Sequence, residues 1–355
     1  MSQLTALHRL LFIINPISGT QSKEAVEQAI VRNIDQSRYT YQLLYTQYAG
    51  HAAELAAQAA KKGVDIVVAV GGDGTINEVA RSLVHTSTAL GIVPCGSGNG
   101  LARHLCIPLD PDAAVAIINR GVVHCLDYGK INGQAFFCTC GVGFDAFISM
   151  KFAEAGKRGL ATYIEKTLTD GLNYKPESYR LTFDEDGETV QYDAFLIACA
   201  NASQYGNNAY IAPHASMKDG LLDVVILQPF SVLESPAVAM QLFSKTLPQS
   251  SHVKMLRTSR LRIERQHAGP AHCDGDPLEM GTVIDVELVP SALNVVVNEE
   301  ARREPDPNLL QQMTAPFNIQ NNVEALRRTH EDLRRKTNDE LKRINATILE
   351  KLRKI

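Results

Sequence analysis

Three short turns carry the residues best suited to chemistry. They are Asn15-Pro16-Ile17-Ser18-Gly19-Thr20, Gly71-Gly72-Asp73-Gly74-Thr75 and Gly96-Ser97-Gly98-Asn99-Gly100, and each follows an apolar run. Glycine lets the backbone approach a ligand closely and adopt φ angles that other residues resist. The helical pattern that begins near Thr75 would aim free N–H groups and a positive dipole end at that ligand. One such turn is a weak signal, since many strand–helix junctions use glycine for packing. Three at the ends of successive strands predict a pocket for a phosphorylated nucleotide. The chain lacks GxxxxGK[ST] and lacks a complete GxGxxG after its first strand, which excludes two common nucleotide signatures. Asp73 looks out of place among phosphates, and a carboxylate is tolerated there when a divalent cation stands between them. The alternative is that Asp73 only fixes its turn through its own hydrogen bonds. Asn77 and Glu78 lie one turn into the helix and could support the loop; Glu78 reads equally as a solvated surface charge.

The elements that position these turns alternate in period. Strand-like runs (RLLFIINP, YTYQLLYTQ, DIVVAV, LGIVP) alternate with helical ones (Ser22 to Asn33, the alanine-rich stretch ending at Gly63, TINEVARSLVHT). This order predicts an α/β domain with an open, mostly parallel sheet, whose ligands bind at the carboxyl ends of the strands. After about Asp127 the pattern changes to strands separated by Gly, Pro and Asn turns, including the Asp-Gly of DEDGETV. That half is expected to be an antiparallel β-sandwich or curved sheet. The expected organisation is an α/β domain over 1–127, a β-rich domain over 128–300, a linker over 301–322 and a long helix over 323–355. In that helix Leu326, His330, Leu333, Thr337, Leu341, Ile344, Ile348, Leu352 and Ile355 follow an eleven-residue repeat, which suits a straight or slightly right-handed coil. It either self-associates into a homo-oligomer or docks on its own domain.

Composition narrows the class further. The 45% hydrophobic and 21% charged fractions are those of a soluble globular protein. A formal charge of −4 argues against a general nucleic-acid binder. Seven cysteines without a CxxC pair read as reduced core residues of a cytosolic protein. No stretch approaches the ~20 apolar residues that span a bilayer, and the N-terminal apolar run reads as a strand rather than a signal peptide. The expected location is cytoplasmic. The segment 148–168 mixes Phe152, Leu160 and Tyr163 with Lys151, Lys157, Arg158 and Lys166. It either docks peripherally on anionic headgroups at the inner membrane face or packs as an ordinary helix on the sheet.

Taken together, GGDGTINEV, NPISGT and GSGNGLARHL resemble the diacylglycerol kinase and sphingosine kinase superfamily of lipid kinases. TCGVGFDA, KRGLATY, NASQYGNNAYIAPHASMKDGLLDVVIL and HCDGDPL follow in that family's order, so the resemblance covers roughly residues 8 to 298. It implies a nucleotide-binding α/β domain and a β-sandwich domain with the active site in the cleft. By position, it implies an ATP site lined by Asn15, Ser18, Thr46, Gly72, Asp73, Gly74, Thr75, Ile76, Asn77, Glu78 and Ser97. It also implies a structural Mg2+ held by Asp219 and the backbone carbonyls of Ser216 and Leu221. The family's acid/base turn reads DGE, whereas this chain has Asp274-Gly275-Asp276, so Asp276 reaches one methylene less far than the family's glutamate. Asp274 is then the favoured proton acceptor, with Asp276 beside it and Asp73 as the rival base. The implied activity is ATP- and magnesium-dependent phosphorylation of a lipid hydroxyl, on diacylglycerol or a long-chain base at a membrane surface, as in phospholipid biosynthesis. An NAD kinase-like enzyme sharing the GGDGT turn is the alternative enzyme. A nucleotide-binding regulator with weak activity is the alternative of a different class.

Overall fold

The computed structural model describes residues 7–19, 22–154, 174–183, 187, 189–231 and 233–300. The linker 301–322, the tail helix expected over 323–355 and most of the charged segment after Glu154 lie outside the described residues. The first half comprises β1 (His8–Ile14), α1 (Lys23–Asn33), β2 (Tyr39–Tyr45), α2 (His51–Lys61), β3 (Ile66–Gly71), α3 (Asp73–Leu83), β4 (Ala89–Pro94), α4 (Gly100–His104) and α5 (Pro111–Arg120). Its strands lie in the order β2-β1-β3-β4, all parallel. Every residue of β3 and β4 is buried, as strands covered by helices on both faces must be, and their unbroken apolar runs follow from that. Local chemistry sets the helix ends. Ser22 caps α1 by accepting from the Ala25 N–H. Asp110 caps α5 ahead of Pro111, and Gly121 ends that helix in the left-handed conformation. α3 begins at Asp73, two residues before the Thr75 start expected from the helical pattern, with Gly72 as its cap residue.

The second half comprises β5 (Val123–Ile131), β6 (Gln134–Phe136), β7 (Thr139–Gly143), α6 (Phe144–Glu154), β8 (Glu177–Phe183), β9 (Thr189–Ala194), β10 (Leu196–Ala200) and β11 (Leu222–Leu227). It continues with α7 (Ser235–Phe243), β12 (Val253–Thr258), β13 (Arg260–Arg265), β14 (Gly269–Cys273), β15 (Asp276–Met280) and β16 (Val283–Val296). An antiparallel sheet runs β12-β11-β10-β7-β14-β15. It shares an apolar core with the antiparallel strands β5, β6, β8, β13 and β16, built from Cys140, Val142, Ile197, Val224, Leu261 and Ile284 among others. The fold class is therefore the one expected: a mostly parallel α/β half and an antiparallel β half. Two apolar stretches that read as single strands are divided. AFFCTCGVGF breaks between β6 and β7, and the run from His252 to Gln266 breaks at Ser259, sending β12 and β13 to different sheets.

The last strand joins the halves. β16 pairs antiparallel with β13 and β5, slips register between Val289 and Leu293, and then places Val295 beside Leu90 of β4 in parallel. A single long strand, bent by a bulge, thus belongs to the sandwich at one end and to the parallel sheet at the other. β5 begins in one half and ends in the other, so residue 127 falls within a strand. This seam joins the parallel sheet to the β-rich half.

Candidate active site

The three glycine turns meet at the carboxyl ends of β1, β3 and β4. The Asn15 N–H donates to the Val70 carbonyl, and its side-chain amide donates to Thr75 Oγ1 at 3.0 Å. The Ser18 hydroxyl donates to the Asn15 carbonyl. Gly19 has φ +71°, and a Cβ there would stand 1.6 Å from the Cys95 carbonyl oxygen, so only glycine permits that contact. A Cβ on Gly96 would stand 2.6 Å from Gly72 Cα, so the second and third turns touch backbone to backbone. The Thr46 N–H donates to the Ile14 carbonyl, and Glu78 accepts from the Gly50 N–H at 3.0 Å. Glu78 therefore ties the loop after β2 to α3 instead of standing free in solvent. Thr75, Ile76 and Asn77 are buried in the first turns of α3, while Gly74 and Ser97 are exposed at the mouth.

Asp73 does something that spacing alone does not disclose. Its Oδ2 accepts from the Asn99 N–H at 2.8 Å and its Oδ1 from the Gly100 N–H at 2.7 Å. A carboxylate at the head of α3 thus holds the first amides of α4, and two turns become one cradle. Each oxygen keeps further acceptor capacity. The Asn99 amide closes the same turn by bonding the Gly96 N–H and carbonyl.

The cradle is closed from the β-rich half. The Asn207 N–H and Arg103 Nε both donate to the Gly98 carbonyl, and Arg103 also reaches Asn208. Below this loop the Tyr205 hydroxyl donates to Asp145 Oδ2, which also faces His272 Nε2 at 3.0 Å. His272 is 1% exposed and accepts a long 3.4 Å contact from the Gly275 N–H. With Nδ1 accepting, Nε2 carries the proton toward Asp145. This buried Asp145–His272 pair leads straight to the Asp274-Gly275-Asp276 turn.

That turn is the two-residue hairpin of β14 and β15, with Cys273 opposite Asp276. Asp274 (φ +51°) and Gly275 (φ +86°) both lie in the left-handed region, which the tight hairpin requires and Asp-Gly tolerates. The Asp274 carboxylate points back at the break between β6 and β7. Its Oδ2 accepts from the Phe137 N–H at 2.8 Å, and its Oδ1 from the Cys138 and Thr139 N–H groups at 2.7 and 3.0 Å. These bonds explain why AFFCTCGVGF does not run as one strand. Burial pushes the Asp274 carboxyl above the usual aspartate value, opposed by the three amides and by Arg81. Asp276 sits one residue further on, exposed at the start of β15. Cys138 lies between the two acidic turns: its N–H donates to Asp274, and a Cβ on Gly100, whose N–H donates to Asp73, would stand 3.5 Å from its Sγ. Its buried thiol is pushed well above the ordinary value, first by burial and then by the carboxylates of Asp274 and Asp73.

The turn assigned by resemblance to magnesium lies elsewhere. Gly220 donates to Asp127 Oδ2, and Ser291 at the β16 bulge donates to Asp127 Oδ1, so buried Asp127 anchors it. Asp219 Oδ1 accepts from the Leu221 N–H at 3.2 Å, and its Oδ2 is held by Arg257. Arg257 stands opposite Asp223 in the β11–β12 register, with Nε 3.5 Å from Asp223 Oδ1. A guanidinium thus pairs with the carboxylate that the resemblance assigns to Mg2+.

Residue-by-residue reading overlooks Asp127, Asp145, His272, Arg81 and Arg103, because single charged or polar residues in apolar or helical patterns look ordinary. The signal for Asp127 is a carboxylate within a strand, and for Asp145 a carboxylate among the apolar residues that open α6, positions where an unpartnered charge is costly.

Comparison with known proteins follows the same division. Residues 9–131 match the family described as the diacylglycerol kinase catalytic domain, and residues 139–297 match the YegS C-terminal NAD kinase beta sandwich-like domain. A probable lipid kinase YegS-like of Chromohalobacter salexigens is 31% identical over 64% of this chain and 75% of its own. A diacylglycerol kinase of Bacillus subtilis (strain 168) is 28% identical over 80% of this chain and 93% of its own. The fold also matches a crystal structure of a diacylglycerol kinase from Bacillus anthracis str. Sterne, with a TM-score of 0.66 and 21% identity over 83% of this chain and 98% of that one. These family matches and relatives support a kinase. The chain belongs to the diacylglycerol kinase-like lipid kinase family. Among the described residues, no helix is long and apolar enough to cross a membrane.

Proposed function

We propose that this protein transfers the γ-phosphoryl group of ATP to a hydroxyl of a lipid, a diacylglycerol or a sphingoid long-chain base. The observation that supports the reading is that Gly100, whose N–H donates to Asp73, lies against the thiol of Cys138, whose own N–H donates to Asp274, so the glycine cradle and the acidic hairpin are neighbours. In this reading Gly72, Asp73, Gly74, Thr75, Ile76 and Asn77, with Asn15, Ser18, Thr46 and Ser97, surround the nucleotide. Glu78 holds the loop beneath it. Mg2+ accompanies the nucleotide and supplies charge neutralisation between its phosphates. Asp274 accepts the proton as the hydroxyl oxygen attacks phosphorus, and its three amide bonds keep it aimed. A carboxylate whose affinity for protons is raised by burial is a better base than an ordinary aspartate. Asp276 lies where a second carboxylate can meet the acceptor, and the substrate approaches from a membrane surface.

The test is incubation with ATP, Mg2+ and a mixed lipid extract, followed by mass spectrometry of the organic phase. A lipid heavier by one phosphate supports the reading. Phosphorylation of NAD with no lipid product would overturn it in favour of the NAD kinase-like alternative. Nucleotide binding with no product from any acceptor would favour a regulator.

A further inference from the structure

Along α3, Gly74, Asn77 and Arg81 recur at steps of three and four residues, so they share one face. Gly74 is exposed at the cradle end, with nothing within 4 Å of where a Cβ would stand. Asn77 is 5% exposed. Arg81 lies at the other end of this stripe against the acidic hairpin, with Nη2 3.9 Å from Cys273 Sγ. Seven residues of helix separate Gly74 from Arg81 by about 10 Å, and side chains on a helix lean toward its N-terminus. The guanidinium therefore reaches back toward the phosphate end while touching the hairpin that carries Asp274.

Its hydrogen bonding is incomplete. Arg81 Nε is buried and has no partner among the described residues. A neutral thiol is a weak acceptor and does not balance a guanidinium. Asp274 is already engaged by three backbone amides. The Nε–H, buried and without an acceptor among the described residues, is open to an anionic oxygen from outside the protein. Phosphate oxygens match the planar fork of arginine bidentately.

We propose that Arg81 is a phosphoryl-binding residue, receiving the non-bridging oxygens of the γ-phosphate as it passes from nucleotide to acceptor. This rests on the phosphotransfer reading above. The acceptor oxygen forms a bond to phosphorus, the bond to the ADP oxygen breaks, and the hydroxyl proton moves to Asp274. Arg81 holds the charge on the three equatorial oxygens and exchanges no proton.

Full-length wild type, Arg81→Gln and Arg81→Lys are compared in two arms. The first needs no lipid: calorimetric titration with Mg-ADP and with the Mg complex of the non-hydrolysable β,γ-imido analogue of ATP. Arg81→Gln should leave ADP affinity within about twofold and weaken the analogue about tenfold, equivalent to about 1.4 kcal/mol. The second arm is turnover with lipid, where Arg81→Gln should lose on the order of 10³-fold in kcat and Arg81→Lys should recover part of it. Equal weakening of ADP and analogue would overturn the proposal. So would turnover within threefold of wild type in Arg81→Gln. Arg81→Lys keeps the charge and the stem, so it decides the matter if Arg81→Gln fails to fold. If wild type phosphorylates no lipid, the functional reading fails, and the nucleotide comparison still decides the role of Arg81.

Discussion

Replacing Asp73 with asparagine tests whether one side chain fuses two glycine turns. The native carboxylate gives one oxygen to the Asn99 N–H at 2.8 Å and the other to the Gly100 N–H at 2.7 Å. An asparagine amide offers one oxygen and one NH2, so one of those buried N–H groups must face a donor. Losing one charge-assisted bond costs about 1.5–3 kcal/mol, and weakening the other to a neutral bond adds about 1 kcal/mol. A total of about 3 kcal/mol lowers the unfolding midpoint of a protein of this size by about 4–5 °C. The assay is thermal unfolding of nucleotide-free protein, followed by calorimetric titration with Mg-ATP, whose affinity should fall because the second turn loses its anchor. Gly98→Ala attacks the same bond from the other side, since its Cβ would stand 2.8 Å from Asp73 Oδ2. The two substitutions should therefore be markedly less than additive. An Asp73→Asn midpoint within 2 °C of wild type, by the same scale, would refute the reasoning.

Gly74→Ala should stabilise α3 by about 0.5–1 kcal/mol, because the site is open and helical alanine loses less entropy than glycine. The same methyl stands at the mouth of the cradle, so Mg-ATP affinity should fall; tighter or unchanged binding would move the phosphates elsewhere. Because burial raises the Asp274 carboxyl, it is deprotonated only above that raised value. The acid limb of kcat/KM should then lie at higher pH than an ordinary aspartate gives, and Asp274→Asn should remove the limb with about 10²–10⁴-fold of the rate. Near-normal turnover of Asp274→Asn would exclude it as the base. With Arg257 on Asp219, millimolar Mg2+ should barely move the unfolding midpoint of nucleotide-free wild type, whereas Arg257→Gln should become stabilised by Mg2+. A wild-type gain that Asp219→Asn abolishes would instead place the cation in that turn.

The glycine turns are legible in the sequence because both signals, an apolar run and the residues that let a backbone turn tightly, are local. The alternation of strands and helices is legible for the same reason. What joins them is not. The partners of Asp73 lie 26 and 27 residues further along the chain, and no spacing rule links an acid in one turn to amides in another. The break between β6 and β7 exists because Asp274, more than 130 residues later, takes their amides. The apolar run of β16 marks a strand, but its passage from sandwich to parallel sheet depends on a bulge and a non-local pairing with β4. Arg257 is a further case: the acidic turn reads like a cation site, and only the register discloses the guanidinium across from Asp223.

The most direct measurement follows the γ-phosphate itself. Wild type and Asp274→Asn are given γ-labelled ATP, Mg2+ and either diacylglycerol or sphingosine dispersed in detergent, and the label is partitioned between organic and aqueous phases. Time-dependent transfer to the organic phase by wild type, nearly absent in Asp274→Asn, is the predicted result. Label that stays in the aqueous phase with both lipids, from protein shown to bind ATP, would contradict the assignment of a lipid hydroxyl as acceptor.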